Sequence, residues 1–202
     1  NLYKRKPNNI IAVTGTNGKS SVSDFFYQIL SLNKIPAASI GTLGIVSKKY
    51  KKKMNLTSLD PLSLHKNLKN LSKNKINNVI LEASSHGLSQ KRLDYLNIRT
   101  GIFTNLSHDH LDYHKNMNSY FNSKMYLFKN LLKKKSNIIT DNENKEFKFI
   151  KRIADARRIK KITLGKNSGD IKILYNKYKE NKQIVTILSK QKTFKIEIPL
   201  IG

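Results

Sequence analysis

Short apolar runs alternate along this chain with longer segments in which apolar residues recur every three to four positions. Asn9–Thr14 (NIIAVT) is β-branched and stops at Gly15, the pattern of a buried strand. Over residues 19–33 the positions Val22, Phe25, Phe26, Ile29, Leu30 and Leu32 follow helical spacing. Residues 37–42 predict a second strand. Pro61 stands where a first helical turn begins, ahead of Leu62, Leu64, Leu68 and Leu71 on one helical face. Asn78 leads into a strand ending at Glu82, and residues 101–105 read as a fourth. Residues 120–132 read as a helix and 137–140 as a fifth strand, ending at Asp141. This alternation predicts an α/β, three-layer fold with a mostly parallel sheet covered on both faces. After about residue 168, IKILYNKY, QIVTILS and TFKIEIPL predict a small antiparallel β segment near the C-terminus.

The length of 202 residues suits one domain, and 38% hydrophobic residues are enough for a core at this size. Zero Cys excludes disulfide scaffolds, thiolate zinc sites and cysteine nucleophiles. No apolar run approaches the ~18–20 residues of a membrane span, and the first twenty residues hold no signal-peptide core. A cytoplasmic monomer is the expectation, with no membrane partner. Both ends read as cut from a longer protein, since eight residues precede the first strand and the chain stops inside an apolar stretch.

A net charge of +26 is the usual footprint of a nucleic-acid binder. Here 33 of the 39 basic residues are Lys and only 6 are Arg, alongside 23 Asn and 23 Ile. A/T-rich codons explain all three excesses together, whereas a base reader leans on Arg. The charge is also spread out, at +13 on each side of residue 128. No nucleic acid is expected as partner; an anionic small-molecule substrate fits the charge equally well.

Three segments carry chemistry. TGTNGKSS, from Thr14 to Ser21, lies between a strand and a helix. Its glycines let the backbone wrap a phosphate, Lys19 adds a cation and a Ser hydroxyl can reach Mg²⁺. Val13 occupies the first Gly position of the full G-x-x-x-x-G-K-[ST] pattern, so a plain glycine-rich turn is the alternative. LEASSHGL, from Leu81 to Leu88, puts Glu82 at the carboxyl edge of the sheet, where a carboxylate suits Mg²⁺ or simply caps. FTNLSHDHLDYH packs three of five histidines near two acids. It misses the H-x-H-x-D-H hydrolase cluster because Tyr113 stands where the last His belongs. A single metal-contacting His fits better there, and His108 and His114 read equally well as exposed polar residues.

Together with IGTLG (Ile40 to Gly44) and SYFNSKMYLF, these motifs resemble, in order and over about residues 8–202, the central ATP-binding domain of the Mur ligases. The phosphate loop is shared with folylpolyglutamate synthetases (FPGS), whereas SSHGL is similar to the MurE type, the UDP-N-acetylmuramoyl-tripeptide synthetases. The resemblance implies an ATP-dependent amide-bond ligase of peptidoglycan precursor synthesis. Its partners are then UDP-N-acetylmuramoyl-L-alanyl-D-glutamate and a free amino acid, meso-diaminopimelate before lysine, joined through an acyl phosphate. An FPGS-like ligase and a non-catalytic nucleotide-binding module are the alternatives. The uridine-binding and amino-acid-binding domains lie outside these residues, so the 202 residues alone are expected to ligate nothing.

The same resemblance assigns ATP binding to Gly15, Thr16, Asn17, Gly18, Lys19, Ser20 and Ser21. It implies Lys19, Glu82, His110 and Lys124 as the catalytic set. One Mg²⁺ falls to Ser20 and Glu82, and a second to His110 and Lys124, whose amine takes up CO₂ as a carbamate. Thr57, Ser58, Ser85, Gln90 and Arg92 match substrate contacts, Ser58 replacing a Thr. His108 stands where an Arg is expected and is given no role. Sequons at Asn55, Asn70 and Asn105 would stay bare in a cytoplasmic chain.

Overall fold

The computed structural model describes residues 5–48, 50–53, 57–179 and 181–199. The Asn55 sequon and the terminal residues 200–202 lie outside them. The strands are β1 (Asn9–Thr14), β2 (Ala37–Gly41), β3 (Gly44–Ser47), β4 (Lys51–Lys52), β5 (Asn78–Glu82), β6 (Ile98–Phe103), β7 (Leu132–Asp141), β8 (Lys160–Gly165), β9 (Ile171–Lys179), β10 (Lys182–Ser189) and β11 (Lys192–Ile198). They form one sheet in the order β11-β10-β9-β8-β7-β6-β1-β5-β2-β3-β4. From β8 to β2 all neighbours are parallel. The expected antiparallel segment, β9 to β11, extends this same sheet and meets β8 over two residue pairs only. A second antiparallel addition, β2-β3-β4, closes the opposite edge.

The helices are α1 (Lys19–Leu32), α2 (Pro61–Lys73), α3 (Ser85–Ser89), α4 (Leu111–His114), α5 (Met117–Tyr126) and α6 (Phe147–Arg157). Asp60 caps α2 by accepting from the Ser63 N–H at 2.9 Å, with Pro61 in the first turn. Helices α1 and α2 end alike. Asn33-Lys34-Ile35 and Asn74-Lys75-Ile76 each place a lysine in the left-handed region, at φ 58° and 61°. The Ile35 and Ile76 amides then close back on Leu30 and Leu71 carbonyls, where glycine is the usual residue before them.

Crossovers run right-handed, so the direction of travel along the sheet decides each helix's face. Only β1 to β2 travels towards the β4 edge, and α1 therefore lies alone on one face. The opposite face holds the main core. There Leu64, Leu68 and Leu71 of α2, with Met125, Phe128, Ile150 and Ala154, pack on Ile10, Ala12, Val79, Leu81, Ile98 and Ile138. On the α1 side Val13 and Ile80 are fully buried, while their row continues through Ile102, Ile139, Ile162 and Leu164, all only half-buried. Among the described residues, three layers are thus complete over β1, β5 and β2, and only two exist beyond. The expectation of a sheet covered on both faces holds for part of it.

Other boundaries move for local reasons. The fourth strand is Ile98–Phe103 rather than 101–105, because Thr104 and Asn105 leave the ladder to bond the loop after β1. The helix over 120–132 begins earlier, at Met117, and ends in a π-helical turn, Leu127–Leu131, before β7. No described helix is long and apolar enough to cross a membrane.

Candidate active site

Strand β1 delivers the chain to the carboxyl edge of the sheet at Thr14, and the turn that follows needs two glycines. Gly15 has φ 147°, and a Cβ there would sit 1.9 Å from Thr104 Oγ1. Gly18, at φ 84°, opens α1. The segment leaving β6 holds this loop from outside. The Thr16 N–H donates to the Asn105 carbonyl at 2.9 Å, and the Asn17 N–H to Asn105 Oδ1 at 3.0 Å. Thr16 Oγ1 also accepts from the Ser107 N–H at 3.0 Å. Lys19 folds back over the loop, its Nζ donating to the Gly15 carbonyl at 3.0 Å and the Thr16 carbonyl at 2.7 Å. Burial lowers its pKa, with Glu82 and Asp109 acting in the opposite direction.

Glu82, at the end of β5, is 3% exposed and turns its carboxylate towards the loop. Ser20 Oγ donates to Oε2 at 2.9 Å, Thr42 Oγ1 to Oε2 at 3.0 Å, and the Thr42 N–H to Oε1 at 3.0 Å. This seat depends on Gly41, because a Cβ there would lie 2.0 Å from Oε1.

The remaining side of the site comes from α4 and α5. His110 starts α4 in the left-handed region (φ 52°), its Nε2 3.4 Å from Asp109 Oδ2. Lys124, on α5, is 1% exposed. Its Nζ donates to the Gly15 carbonyl at 2.8 Å, the same oxygen that Lys19 uses, and lies 4.2 Å from the Tyr120 ring centre. Burial, reinforced by the Lys19 charge, lowers the Lys124 pKa to about 7. Tyr120 shares a hydrogen bond with Thr16 Oγ1 at 3.2 Å, tying α5 to the loop.

These groups line one cavity of about 280 Å³: Thr16 to Ser21, Glu82, His110 and Lys124, together with Thr57 and Ser85 of the expected substrate contacts. Gly15 lies beneath it. Ser58 does too, at 5% exposure, its hydroxyl spent on the Glu82 carbonyl (3.0 Å) and the Ser84 N–H (3.1 Å). Arg92 and Gln90 stand to one side of the lining. Arg92 donates to the Ser58 carbonyl at 2.7 Å and to Gln90 Oε1, and Gln90 Nε2 donates to Tyr113 OH at 3.1 Å. Three further lining residues, Thr42, Ser84 and Tyr120, lie within the quoted motifs but carried no assignment from sequence. Of the two histidines read as exposed, His108 is so. His114 instead is 6% exposed, packed among His86, Tyr113 and Tyr120, because it closes the turn onto α5.

Chemically, the site sets two amines and a helix N-terminus opposite a carboxylate–hydroxyl pair. Ser20 and Glu82 are hard oxygen donors about 3 Å apart, which suits Mg²⁺. Among the described residues no three His, Asp or Glu side chains form a ready-made metal cage. A roomier hollow of about 390 Å³ around Ile35, Pro36 and Ile76 is at the opposite end of the strands, and its lining has no acid or histidine.

Residues 13–202 match the family described as Mur ligase middle domain. The chain is 40% identical over 205 residues to the UDP-N-acetylmuramoyl-L-alanyl-D-glutamate–2,6-diaminopimelate ligase of Rickettsia bellii (strain RML369-C), covering 100% of this chain and 43% of that protein. A solved structure of a ligase with that name superposes with a TM-score of 0.87 at 33% identity, over 98% of this chain and 40% of the other. The apo form of L. casei FPGS shares the fold, with a TM-score of 0.78 at 11% identity over 98% and 54% of the two chains. The chain spans about two fifths of the length of the curated relatives it matches.

Proposed function

The chain belongs to the Mur ligase family as a middle domain, and we propose that it carries the ATP- and metal-handling centre of a ligase of the MurE type. The observation that supports this is the convergence of Lys19, Ser20, Glu82, His110 and Lys124 on one cavity at the carboxyl ends of parallel strands. Its expected substrates are UDP-N-acetylmuramoyl-L-alanyl-D-glutamate and diaminopimelate, as the relatives' name has it. Uridine-binding and amino-acid-binding domains on either side, a cytoplasmic setting and a monomeric state belong to the same reading.

The chemical problem is repulsion, since a substrate carboxylate must approach a triphosphate. In the proposed reaction the carboxylate oxygen bonds to the γ-phosphorus and the bond to ADP breaks. The amine of the amino acid then displaces phosphate from the acyl phosphate. Amides at the start of α1 and the Lys19 ammonium draw the phosphates in. Ser20 and Glu82 would hold one Mg²⁺, and His110 and Lys124 a second. Bound there, Mg²⁺ would supply positive charge to offset the two anions. Lys124 suits this role only if it stops being a cation. Burial and the Lys19 charge lower its pKa to about 7, which makes the free amine far more accessible than in an exposed lysine. The ammonium first gives up a proton, and the lone pair of the free amine then bonds CO₂ with loss of a second, so that +1 becomes −1.

The test is ADP and phosphate release by the complete gene product with ATP, Mg²⁺, the UDP-muramoyl-dipeptide and one amino acid at a time. Turnover with diaminopimelate is expected. Turnover with lysine alone would overturn the amino-acid assignment, and none with any amino acid would overturn the ligase.

A further inference from the structure

The phosphate loop does not fix its own shape. Two of its four residues from Gly15 to Gly18 are glycines at φ 147° and 84°, and glycine accepts many alternatives. What restrains it is the Asn17 peptide, gripped on both sides from β6. Asn105 Oδ1 accepts the Asn17 N–H at 3.0 Å, while Thr104 Oγ1 (2.7 Å) and Asn105 Nδ2 (3.3 Å) both donate to the Asn17 carbonyl. The grip is anchored, because the Thr104 N–H donates to the Thr14 carbonyl at 3.0 Å and Asn144 Nδ2 to the Thr104 carbonyl at 2.9 Å. A peptide carbonyl free to swing inwards would face an anion with its negative end. Held outwards, it leaves the loop's amides to do the binding.

We propose that Asn105, assisted by Thr104, is a positioning residue that sets polyphosphate affinity by pinning the Asn17 peptide, without touching the nucleotide. This rests on the reading of the loop as the phosphate site. It also gives the Asn105 sequon a use inside the protein, since its amide is committed to Asn17.

The experiment measures Kd for Mg-ATP and for inorganic tripolyphosphate by calorimetry on the complete gene product. Two lost neutral hydrogen bonds predict ~10-fold weaker binding in Asn105→Ala, equal for both probes, while the ligand-free melting point falls by only a few degrees. Thr104→Val should weaken both probes, and Thr104→Ser should restore them. Lys19→Ala serves as the separate control. If Lys19→Ala binds as wild type does, the phosphate-site reading itself fails. If Lys19→Ala loses affinity while Asn105→Ala and Thr104→Val keep theirs, the positioning role alone is overturned. Loss for ATP but not for tripolyphosphate would also overturn it, placing Asn105 against the nucleoside. Should Asn105→Ala not fold, the Thr104→Val and Thr104→Ser pair decides.

Discussion

Lys124→Met should make the protein more stable and inactive, and the stability gain should fade as pH rises. Lys124 is 1% exposed, and its pKa falls from 10.5 to about 7. At ~1.4 kcal/mol per tenfold change in proton affinity, keeping that ammonium buried costs at most about 5 kcal/mol near neutrality. The bond to the Gly15 carbonyl and the contact with the Tyr120 ring return about 1 kcal/mol each, and methionine loses both. Imperfect repacking takes up to about 1.5 kcal/mol more. A net gain of about 1–3 kcal/mol remains, in line with buried charges replaced by apolar groups of similar size. The sign with pH follows from proton counts. Between pH 7 and 10.5 the unfolded chain holds the Lys124 proton and the folded chain has released it, so wild-type stability rises with pH there. The handicap is complete below pH 7 and gone above 10.5, and the methionine variant's advantage shrinks across that window. Urea denaturation in CO₂-free buffer at about pH 6.5, 8 and 9.5 measures it. An advantage independent of pH, or a destabilised variant, would refute the claim that the buried ammonium strains the fold.

Other outcomes follow from single contacts. Lys19→Ala should weaken Mg-ATP binding by at least about 1.5 kcal/mol, read by calorimetry, because a charge-assisted partner of the phosphates is lost. Gly41→Ala puts a Cβ 2.0 Å from Glu82 Oε1. In the complete gene product it should abolish most Mg²⁺-dependent ADP release while circular dichroism stays native. In the complete gene product Lys124→Arg should be as inactive as Lys124→Ala, because guanidinium keeps its charge and takes up no CO₂; near-normal turnover of the Arg variant would end the carbamate reading. Lys34→Gly and Lys75→Gly, at the left-handed ends of α1 and α2, should each stabilise by about 0.5–1 kcal/mol in denaturation.

The parallel heart of the fold was legible because its strands are short, β-branched and bounded by glycine or an acid, as in NIIAVT and NVILE. The loop after β1 and Glu82 could be read for the same reason: they sit where strands end, and strand ends face the site. Helix α6 and strand β8 were not announced, although Phe147, Ile150, Ile153 and Ala154 keep helical spacing: lysines and arginines interrupt the apolar positions, and Ile150 and Ala154 join the core with Phe128 and Ile138. Ser58 shows another limit. A hydroxyl next to Thr57 looks like a second substrate contact, yet the bend at residues 57–58 leaves it buried, donating to the Glu82 carbonyl. Thr42 is the converse case, a residue inside a quoted motif whose use emerges only once Glu82 is seen resting on it.

One face of the sheet carries Ile102, Ile139, Ile162 and Leu164 half-open to water, and β11 adds Phe194 at 47% and Ile196 at 41% exposure. The same molecule bears a charge of +26. These two features act against each other in a test tube. In dilute buffer the long-range repulsion between like-charged molecules keeps their greasy faces apart. At physiological ionic strength the screening length shrinks to about 8 Å, and sulfate or phosphate further strengthens apolar contact. For the 202-residue chain by itself, dispersal therefore depends on low salt, and precipitation should set in as salt is raised through the physiological range.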